Sequence, residues 1–475
     1  MLPSLFAQCR PARWFVTVLL ATGVVSAGRC DTAAPATLYT GAWVFTLADG
    51  VAGPREPGHL LVSADGFVLA AGPGFEPPAA TAGLADARRV DLTGRIILPG
   101  LVSGHSHLWQ SAFRGIAADG ELYPWLNALH RTYGKFFVEG DFAAFTRHGA
   151  LDQLRHGVTT TYNHSQSIGG SYEIYVEQLA ASEALPQRFV FAWVNDRTVD
   201  DATWEARLQP LLARAVPAPE RSLLAFAVNA LGVHSDGELL RREFALAARH
   251  GLGAQIHYLE ASDTVVAERA KWPMVRDAGG VGPGRSYAHF IHPDTAMVKE
   301  AAEAGAAMIW NPLSNGRLGS GLSDIEGYLA AGLKVGMGVD GAASADIADP
   351  FENVRLGLYA LRMRRQNSKG LQPIDMLRLH TLATARVLGV ERWVGSLEPG
   401  KFADFLVVNP ASPATGPIWD PAATLVFACS SANIETVHVG GREVARGGRV
   451  LGVDEVAVEA EVAARVAALR VRTGK

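Results

Sequence analysis

The central part of the chain alternates strand-like and helix-like segments, and this alternation restricts the fold more than any other feature. Short apolar runs typical of buried strands recur eight times between residues 96 and 389, mostly separated by helix-length stretches. Parallel strands need such long crossover connections, and eight of them close into a ring. The predicted strands are residues 96–105, 159–163, 189–194, 223–229, 254–257, 286–289, 307–311 and 335–340. The sequence therefore predicts an α/β fold built on a (β/α)₈ TIM barrel.

The segments on either side of this barrel have a different pattern. They contain short alternating runs broken by glycine and proline, as antiparallel strands joined by turns do. We expect residues 31–95 and 395–453 to meet in one small β-sandwich domain formed by both chain ends, beside a barrel that spans 96–394. Residues 454–475 are rich in alanine, valine and glutamate, which predicts a C-terminal helix on the surface.

The first 30 residues have the composition of a secretory signal peptide. Arg10 and Arg13 precede an apolar run, and small residues follow at 25–27, the positions that a signal peptidase reads. The run is short for a membrane span, and an uncleaved N-terminal anchor is the alternative interpretation. With 1–30 as a signal peptide, the sequence predicts an exported protein, periplasmic or secreted, without membrane contact beyond this segment.

Composition narrows the classes of partner. The net charge is −4 and no basic run is present, so a nucleic acid is not an expected partner. Hydrophobic residues make up 48% and charged residues 19% of the chain, which is the balance of a globular protein with a large core. After the predicted cleavage only Cys30 and Cys429 remain, too few for a disulfide framework or a thiolate metal site. The expected partner is a small-molecule substrate. The sequence leaves open whether the chain forms a homo-oligomer.

Imidazole and carboxylate side chains stand at the ends of four predicted strands. His105 and His107 end the first strand, His257 the fifth, His289 the sixth and Asp340 the eighth. Because residues i and i+2 of a strand point to the same side, His105 and His107 both face the barrel axis. Active sites of this fold lie where the strands end, so these side chains converge on one mouth. A donor set of nitrogen and oxygen without thiolate suits Zn²⁺ or Fe²⁺.

Several of these segments resemble the motifs of the amidohydrolase superfamily. The resemblance is greatest to its branch of cytosine deaminases, adenosine-derivative deaminases and triazine chlorohydrolases. Residues 99–107 (PGLVSGHSH) and 113–115 (FRG) resemble the first-strand signature. The other similar segments are 256–260 (IHYLE), 288–292 (AHFIH), 311–315 (NPLSN), 338–344 (GVDGAAS), 349–352 (DPFE) and 395–404 (GSLEPGKFAD). Together they extend from residue 37 to about 450.

The resemblance implies a set of metal ligands and catalytic residues. The implied ligands of the metal are His105, His107, His257 and Asp340, with an open position for water. The implied catalytic residues are Asp340, which takes a proton from the water, His289, which orients or deprotonates it, and Glu260, which passes a proton to a ring nitrogen or to the leaving group. Binuclear members carry a carboxylated lysine at the fourth strand, and residues 223–229 contain none. The expected cofactor is therefore one divalent metal, with Zn²⁺ preferred and Fe²⁺ as the alternative.

The loops that leave the strands supply the candidates for substrate binding. These candidates are Trp109, Gln110, His164, Asn229 and Asn315. Trp109 could instead be a packed loop aromatic, and Asn315 could simply cap a turn. Many nucleoside-type deaminases of this branch end strand four with Pro-His-x-Pro-Tyr, whereas Asn229 stands here in place of that histidine. This departure argues against an adenosine-like substrate.

Three functions are compatible with the sequence. The first is an exported metal-dependent hydrolase that uses a metal-activated water on a carbon–nitrogen bond other than a peptide bond, by deamination of a nitrogen heterocycle. The second is a secreted amidase or peptidase-like hydrolase of N-acyl compounds. The third is an inactive barrel that acts as a binding protein. The intact set of histidine, aspartate and glutamate argues against the third, because binding alone needs no proton-transfer carboxyl.

Overall fold

The computed structural model describes residues 35–51, 53–54, 56–166, 172–194, 199–234 and 236–475. The predicted signal peptide at 1–30, together with Cys30, lies outside the described residues. None of the helices in the described ranges is both long enough and apolar enough to cross a lipid bilayer.

Eight strands of the central segment form one parallel sheet, in which each strand pairs with the next along the chain. They are β6 (Leu101–Ser106), β7 (Val158–His164), β8 (Arg188–Val194), β9 (Leu223–Asn229), β10 (Gly253–Tyr258), β11 (Arg285–His289), β12 (Ala307–Trp310) and β13 (Lys334–Met337). The segment after β13 returns to β6, where the amide of Asp340 donates to the carbonyl oxygen of His105 at 3.0 Å. The predicted TIM barrel is therefore confirmed, with strand ends that differ by a few residues from the prediction.

Helices follow most of these strands and cover the outside of the sheet. They are α1 (Leu122–Leu126), α2 (Asp141–Arg155), α3 (Tyr172–Glu183), α4 (Asp201–Leu212), α5 (Gly237–Arg249), α6 (Val265–Ala270), α7 (Trp272–Asp277), α8 (Thr295–Glu303), α9 (Pro312–Arg317), α10 (Ile325–Ala330), α11 (Pro350–Arg365), α12 (Pro373–Arg378), α13 (Thr384–Leu388), α14 (Pro421–Ala423) and α15 (Glu455–Thr473). The aspartates at positions 200, 236 and 294 cap α4, α5 and α8, since each side chain accepts from a backbone N–H of the first turn. The C-terminal helix predicted over 454–475 corresponds to α15.

Strands from both ends of the described chain share a second, mainly antiparallel sheet. Its members are β1 (Thr37–Val44), β2 (Gly58–Val62), β3 (Val68–Pro73), β4 (Arg88–Asp91), β5 (Ile96–Pro99), β14 (Phe405–Val408), β15 (Ile434–Val439), β16 (Arg442–Arg446) and β17 (Arg449–Val450). Strand β1 links its two halves, because β1 pairs with β2 and β4 near its start and with β5 near its end. Side chains from both halves pack together, as Tyr39 and Phe405 do with ring centroids 5.2 Å apart. The expected β-domain built from both ends is present.

The prediction of a single first strand over 96–105 is wrong, because this segment forms two strands in different sheets. Strand β5 pairs with β14 in the small sheet, and β6 pairs with β7 in the barrel. The chain changes sheets at Gly100, whose amide donates to the carbonyl oxygen of Asp404 at 2.9 Å. A Cβ atom at Gly100 would lie 2.0 Å from the Thr159 hydroxyl oxygen, so this crossing needs a residue without a side chain.

A buried ion pair joins the barrel to the small sheet. The Arg188 guanidinium donates to both carboxylate oxygens of Asp404, at 2.6 and 2.9 Å, and both side chains are at most 3% exposed. Arg188 also donates to the carbonyl oxygens of Ala218, Pro219 and Arg221, and the amide of Gly440 donates to Asp404. Because every strong donor and acceptor in this contact has a partner, the cost of burying the two charges is offset.

We predict that Asp404→Ala lowers the free energy of unfolding by about 3–5 kcal/mol, because it leaves the Arg188 charge buried without its partner. Urea denaturation followed by circular dichroism measures this. The matched control is Glu76→Ala, which breaks the exposed pair of Glu76 with Arg89 and should leave the stability unchanged within error. Equal losses of unfolding free energy in the two variants would show that the buried pair contributes no more to stability than the exposed pair.

Candidate active site at the barrel mouth

Four side chains from three strand ends place their ligand atoms together at the barrel mouth. The Nε2 atom of His107 lies 3.2 Å from Nε2 of His105 and 3.2 Å from Nε2 of His257. One carboxylate oxygen of Asp340 lies 3.3 Å from Nε2 of His105 and 3.6 Å from Nε2 of His107. The structure therefore brings together the four residues that the sequence nominated as metal ligands.

The protonation of these groups fits a metal site. Burial, aided by the neighbouring His105, lowers the pKa of His107 to about 3. Burial and the adjacent imidazoles also hold the pKa of His257 well below its usual value. Burial works to raise the pKa of the Asp340 carboxyl, but contacts with His105 and His289 outweigh it and hold that pKa well below its usual range. Neutral imidazoles beside an ionised carboxylate are the donor forms that a divalent cation requires.

The closely spaced Nε2 atoms support the same conclusion. At 3.2 Å two imidazole nitrogens either share one proton or, when both are bare, repel each other unless a cation lies between them. Among the described residues there are two ligand sets whose atoms all lie within 4.8 Å of one another, His105 with His257 and His289, and His105 with His107 and Asp340. Because His105 belongs to both sets, they describe one centre. The described part of β9, where a second metal would need a lysine, has none.

Tight backbone packing places Asp340 beside His105. Gly338 precedes it, and a Cβ atom there would lie 2.8 Å from the amide nitrogen of His105 and 2.5 Å from the side-chain oxygen of Asn311. Asp340 itself adopts a left-handed backbone conformation with φ of 58°, which is unfavourable for a residue with a side chain. The Ser344 hydroxyl donates to the second carboxylate oxygen of Asp340 at 2.9 Å. The strained turn and this hydrogen bond fix the direction of the carboxylate.

Glu260 and His289 form a second group of titratable side chains next to the ligand cluster. A Glu260 carboxylate oxygen lies 3.6 Å from Nε2 of His289, which in turn lies 4.0 Å from Asp340. Burial raises the pKa of the Glu260 carboxyl to about 7, with His289 opposing the rise and Asp340 adding to it. A carboxyl that titrates near neutral pH can both donate and accept a proton, as a general acid or base must. Nδ1 of His289 lies 2.9 Å from the side-chain oxygen of Asn315.

The substrate-binding candidates fall into two groups. His164 and Asn229, at the ends of β7 and β9, are buried polar residues of the barrel interior, and Asn315 contacts His289. Trp109 is fully buried in an aromatic cluster, with its ring 5.4 Å from Phe142, which favours the packed-aromatic alternative.

Gln110 follows Trp109 in the 3₁₀ segment Leu108–Phe113 and is 1% exposed. It lies against the loop after β13, since a Cβ atom at Gly341 would come within 1.8 Å of its side-chain oxygen. The position of Gln110 is thus set by the same loop that carries Asp340.

Sequence reasoning missed Gln255, whose side-chain oxygen lies 2.6 Å from Nδ1 of His105 and 2.9 Å from Nε2 of His164. A signal was present, because Gln255 precedes His257 by two residues and therefore points to the same side of β10. The substrate contact expected of Asn315 stays a prediction, and the structure adds a contact of Asn315 with His289 that the sequence did not indicate. That pairing joins two strand ends and has no local sequence signature.

Comparison with known proteins extends these observations over most of the chain. The amidohydrolase family matches residues 96–444. The 5′-deoxyadenosine deaminase of Methanothermobacter thermautotrophicus is 29% identical over 379 residues, which cover 77% of this chain and 86% of the relative. The 5-methylthioadenosine/S-adenosylhomocysteine deaminase of Desulforudis audaxviator is 28% identical over 429 residues, covering 87% of this chain and 96% of that protein.

Solved structures agree with the fold. An adenosine deaminase from Xanthomonas campestris with bound zinc superimposes with a TM-score of 0.80 at 23% identity, covering 92% of this chain and 98% of that one. The atrazine chlorohydrolase of Arthrobacter aurescens in complex with zinc gives a TM-score of 0.78 at 24% identity, covering 90% of this chain and all of the other. At these identities the similarity establishes the shared architecture.

We predict that His257→Ala loses bound metal, because it removes one of four donors from a centre that β10 positions. Metal analysis of protein stripped with a chelator and reloaded with Zn²⁺ should find about one equivalent in the wild type and far less in the variant. His250→Ala, at the end of α5 and outside the cluster, is the control and should keep the wild-type content. Full occupancy in His257→Ala would mean that the ligand set is wrong.

Proposed function

The chain belongs to the amidohydrolase family, and from that premise we propose that it is a metal-dependent hydrolase that deaminates a nitrogen heterocycle. The observation that carries the proposal is the pairing of one imidazole–carboxylate cluster with the Glu260 carboxyl, whose pKa burial raises to about 7. A ligand cluster alone would suit binding, whereas the adjacent acid supplies the proton that departing ammonia needs. The relatives named above as deaminases support this reaction class.

The metal would be held by His105, His107, His257 and Asp340. When bound, a divalent metal lowers the pKa of a coordinated water towards about 7 and so makes it a nucleophile at neutral pH. Three imidazoles and one carboxylate suit Zn²⁺, with Fe²⁺ as the alternative. The solved relatives that contain zinc support the first choice.

The protein's own side chains move the protons. Asp340 stays ionised, so it accepts the proton that the attacking water loses. His289, held through Nδ1 by Asn315, directs Nε2 towards Glu260 and Asp340 and orients that water. Glu260, in its protonated form, donates to a ring nitrogen, regains a proton from the added hydroxyl group and passes it to the leaving amine, while the proton taken by Asp340 is released and Glu260 is reprotonated. Water therefore adds to the carbon that carries the amino group, and ammonia departs.

The substrate that we propose is an aminated nitrogen heterocycle. Trp109 is buried and cannot stack on a ring in the mouth, so recognition falls to polar groups such as His164 and Asn229. Asn229 differs from the histidine that nucleoside-type deaminases of this branch carry there, although the curated relatives are named for adenosine derivatives. We therefore expect a base or a small heterocycle to be preferred over a nucleoside.

A substrate screen tests the reaction class. Zinc-loaded protein is incubated with aminated pyrimidines, purines and triazines, with 5′-deoxyadenosine and with N-acyl amino acids, and ammonia and carboxylate are measured separately. Ammonia release from a heterocycle is the expected result. Release of carboxylate from N-acyl compounds without ammonia would contradict deamination and would indicate an amidase.

We predict that Glu260→Gln keeps its metal and loses turnover by about 10²-fold or more, because an amide cannot donate the required proton. Steady-state rates on the best substrate of the screen, together with metal analysis, measure both effects. Asp263→Asn, an exposed acid on the same loop, is the matched control and should keep wild-type turnover. Normal turnover of Glu260→Gln would remove Glu260 from the mechanism.

We also propose that the protein is exported, on the basis of the charged and apolar pattern of residues 1–30. Expressed from its full-length coding sequence in a Gram-negative host, the protein should be recovered from the periplasm. N-terminal sequencing should find a mature chain that begins near Gly28. Recovery in the cytoplasm, or an intact N-terminus in the membrane fraction, would contradict cleavage and export.

A further inference from the structure

Gln255 is a buried amide in contact with two imidazoles of the site. It is fully buried, and its Oε1 atom lies 2.6 Å from Nδ1 of His105 and 2.9 Å from Nε2 of His164. Its Nε2 atom lies 3.1 Å from the carbonyl oxygen of Gly104 and 3.2 Å from the Ser286 hydroxyl. One amide therefore contacts the strand that carries the first histidine pair and the strand of His289.

The orientation of this amide follows from its partners. A backbone carbonyl oxygen can only accept a hydrogen bond, so the atom beside Gly104 must be the NH₂ group. The oxygen then faces His105 and His164, and an amide oxygen can only accept. Both facing ring nitrogens must therefore carry a proton. A neutral imidazole carries one proton, which leaves the other ring nitrogen of each histidine bare.

We propose that Gln255 is a positioning residue that fixes the tautomers of His105 and His164. It holds the proton of His105 on Nδ1, which leaves Nε2 bare for the metal, in the direction of His107 and Asp340. Outer contacts of this kind set the tautomer and ring orientation of metal-binding histidines. The inference rests on the metal site of the proposed function.

The same amide determines which kind of hydrogen bond His164 can make with a ligand. Gln255 occupies Nε2–H of His164, so Nδ1 is a bare acceptor, and within the described residues it has no hydrogen-bond partner. Its ring lies 4.6 Å from that of His105 and 4.9 Å from that of His257, beside the ligand cluster. His164 can therefore accept a hydrogen bond from a ligand N–H group and cannot donate one.

Zinc affinity, measured by competition with a chromogenic chelator, tests the role towards His105. Gln255→Met keeps the size of the side chain and removes both polar atoms, and we expect its affinity to fall by about 10–100-fold. Gln255→Glu, protonated on the oxygen beside the Gly104 carbonyl, keeps an acceptor for both imidazoles and should stay within a few-fold of the wild type. The matched control is Gln187→Met, another buried barrel amide that contacts Gln153 and Val158 rather than the histidines. Wild-type affinity in Gln255→Met would overturn the proposal.

Tautomers read directly from ¹⁵N-histidine NMR keep the test independent of how the variants fold. In metal-free wild-type protein, His105 should carry its proton on Nδ1 and His164 on Nε2, with signals assigned through His105→Asn and His164→Asn. The opposite tautomer at either residue overturns the proposal. Wild-type protein that shows the expected tautomers but binds no metal would contradict the proposed function and still support the role of Gln255 in fixing the tautomers.

Discussion

Closure of the barrel between its first and last strands is the contact on which the site depends. The hydrogen bond from the Asp340 amide to the His105 carbonyl makes the two ends of the barrel segment neighbours. In an open sheet, the Asp340 carboxylate would lie at the opposite edge from the first histidine pair. Gly338 permits the approach because no side chain separates the two backbones. The candidate metal centre thus lies across the contact between the first and last strands, and any loosening of that contact would separate its proposed ligands.

Neighbouring imidazoles then give two equally buried carboxyls different protonation. Asp340 and Glu260 are both 6% exposed, so burial alone would favour the neutral acid in each. Asp340 touches His105 and His107 and stays ionised, whereas Glu260 meets only His289 among the site imidazoles, at 3.6 Å, and its pKa rises to about 7. One base and one acid therefore stand within a single mouth at neutral pH. The number of imidazole contacts, rather than the depth of burial, separates the two roles.

Much of the architecture and the ligand set follows from the sequence because both depend on short-range patterns. Apolar runs at helix-length intervals define the barrel, and barrel geometry sends strand ends such as His257 and Asp340 to one mouth. The roles of Glu260 and His289 came from the family resemblance. The features that were missed depend on contacts distant in sequence. Thr159 and Asp404 divide the segment 96–105 between two sheets, and neither contact leaves a mark within that segment.

Site side chains show the same limit. Trp109 follows a ligand histidine and resembles a pocket residue in sequence, yet Phe137 and Phe142 enclose it from another part of the chain.

Different strands of the barrel carry different groups of the candidate site. The first, fifth, sixth and eighth carry the proposed ligands and proton-transfer groups, whereas the second and fourth carry His164 and Asn229. Within the described residues, Nδ1 of His164 and the side-chain oxygen of Asn229 are buried without partners, and each such atom costs about 1–3 kcal/mol. A ligand that brings N–H donors to these acceptors removes that cost, and one that brings only acceptors does not. In the proposed function, the first group of strands therefore supplies the chemistry, and His164 and Asn229 on the second group contribute to the choice of ligand.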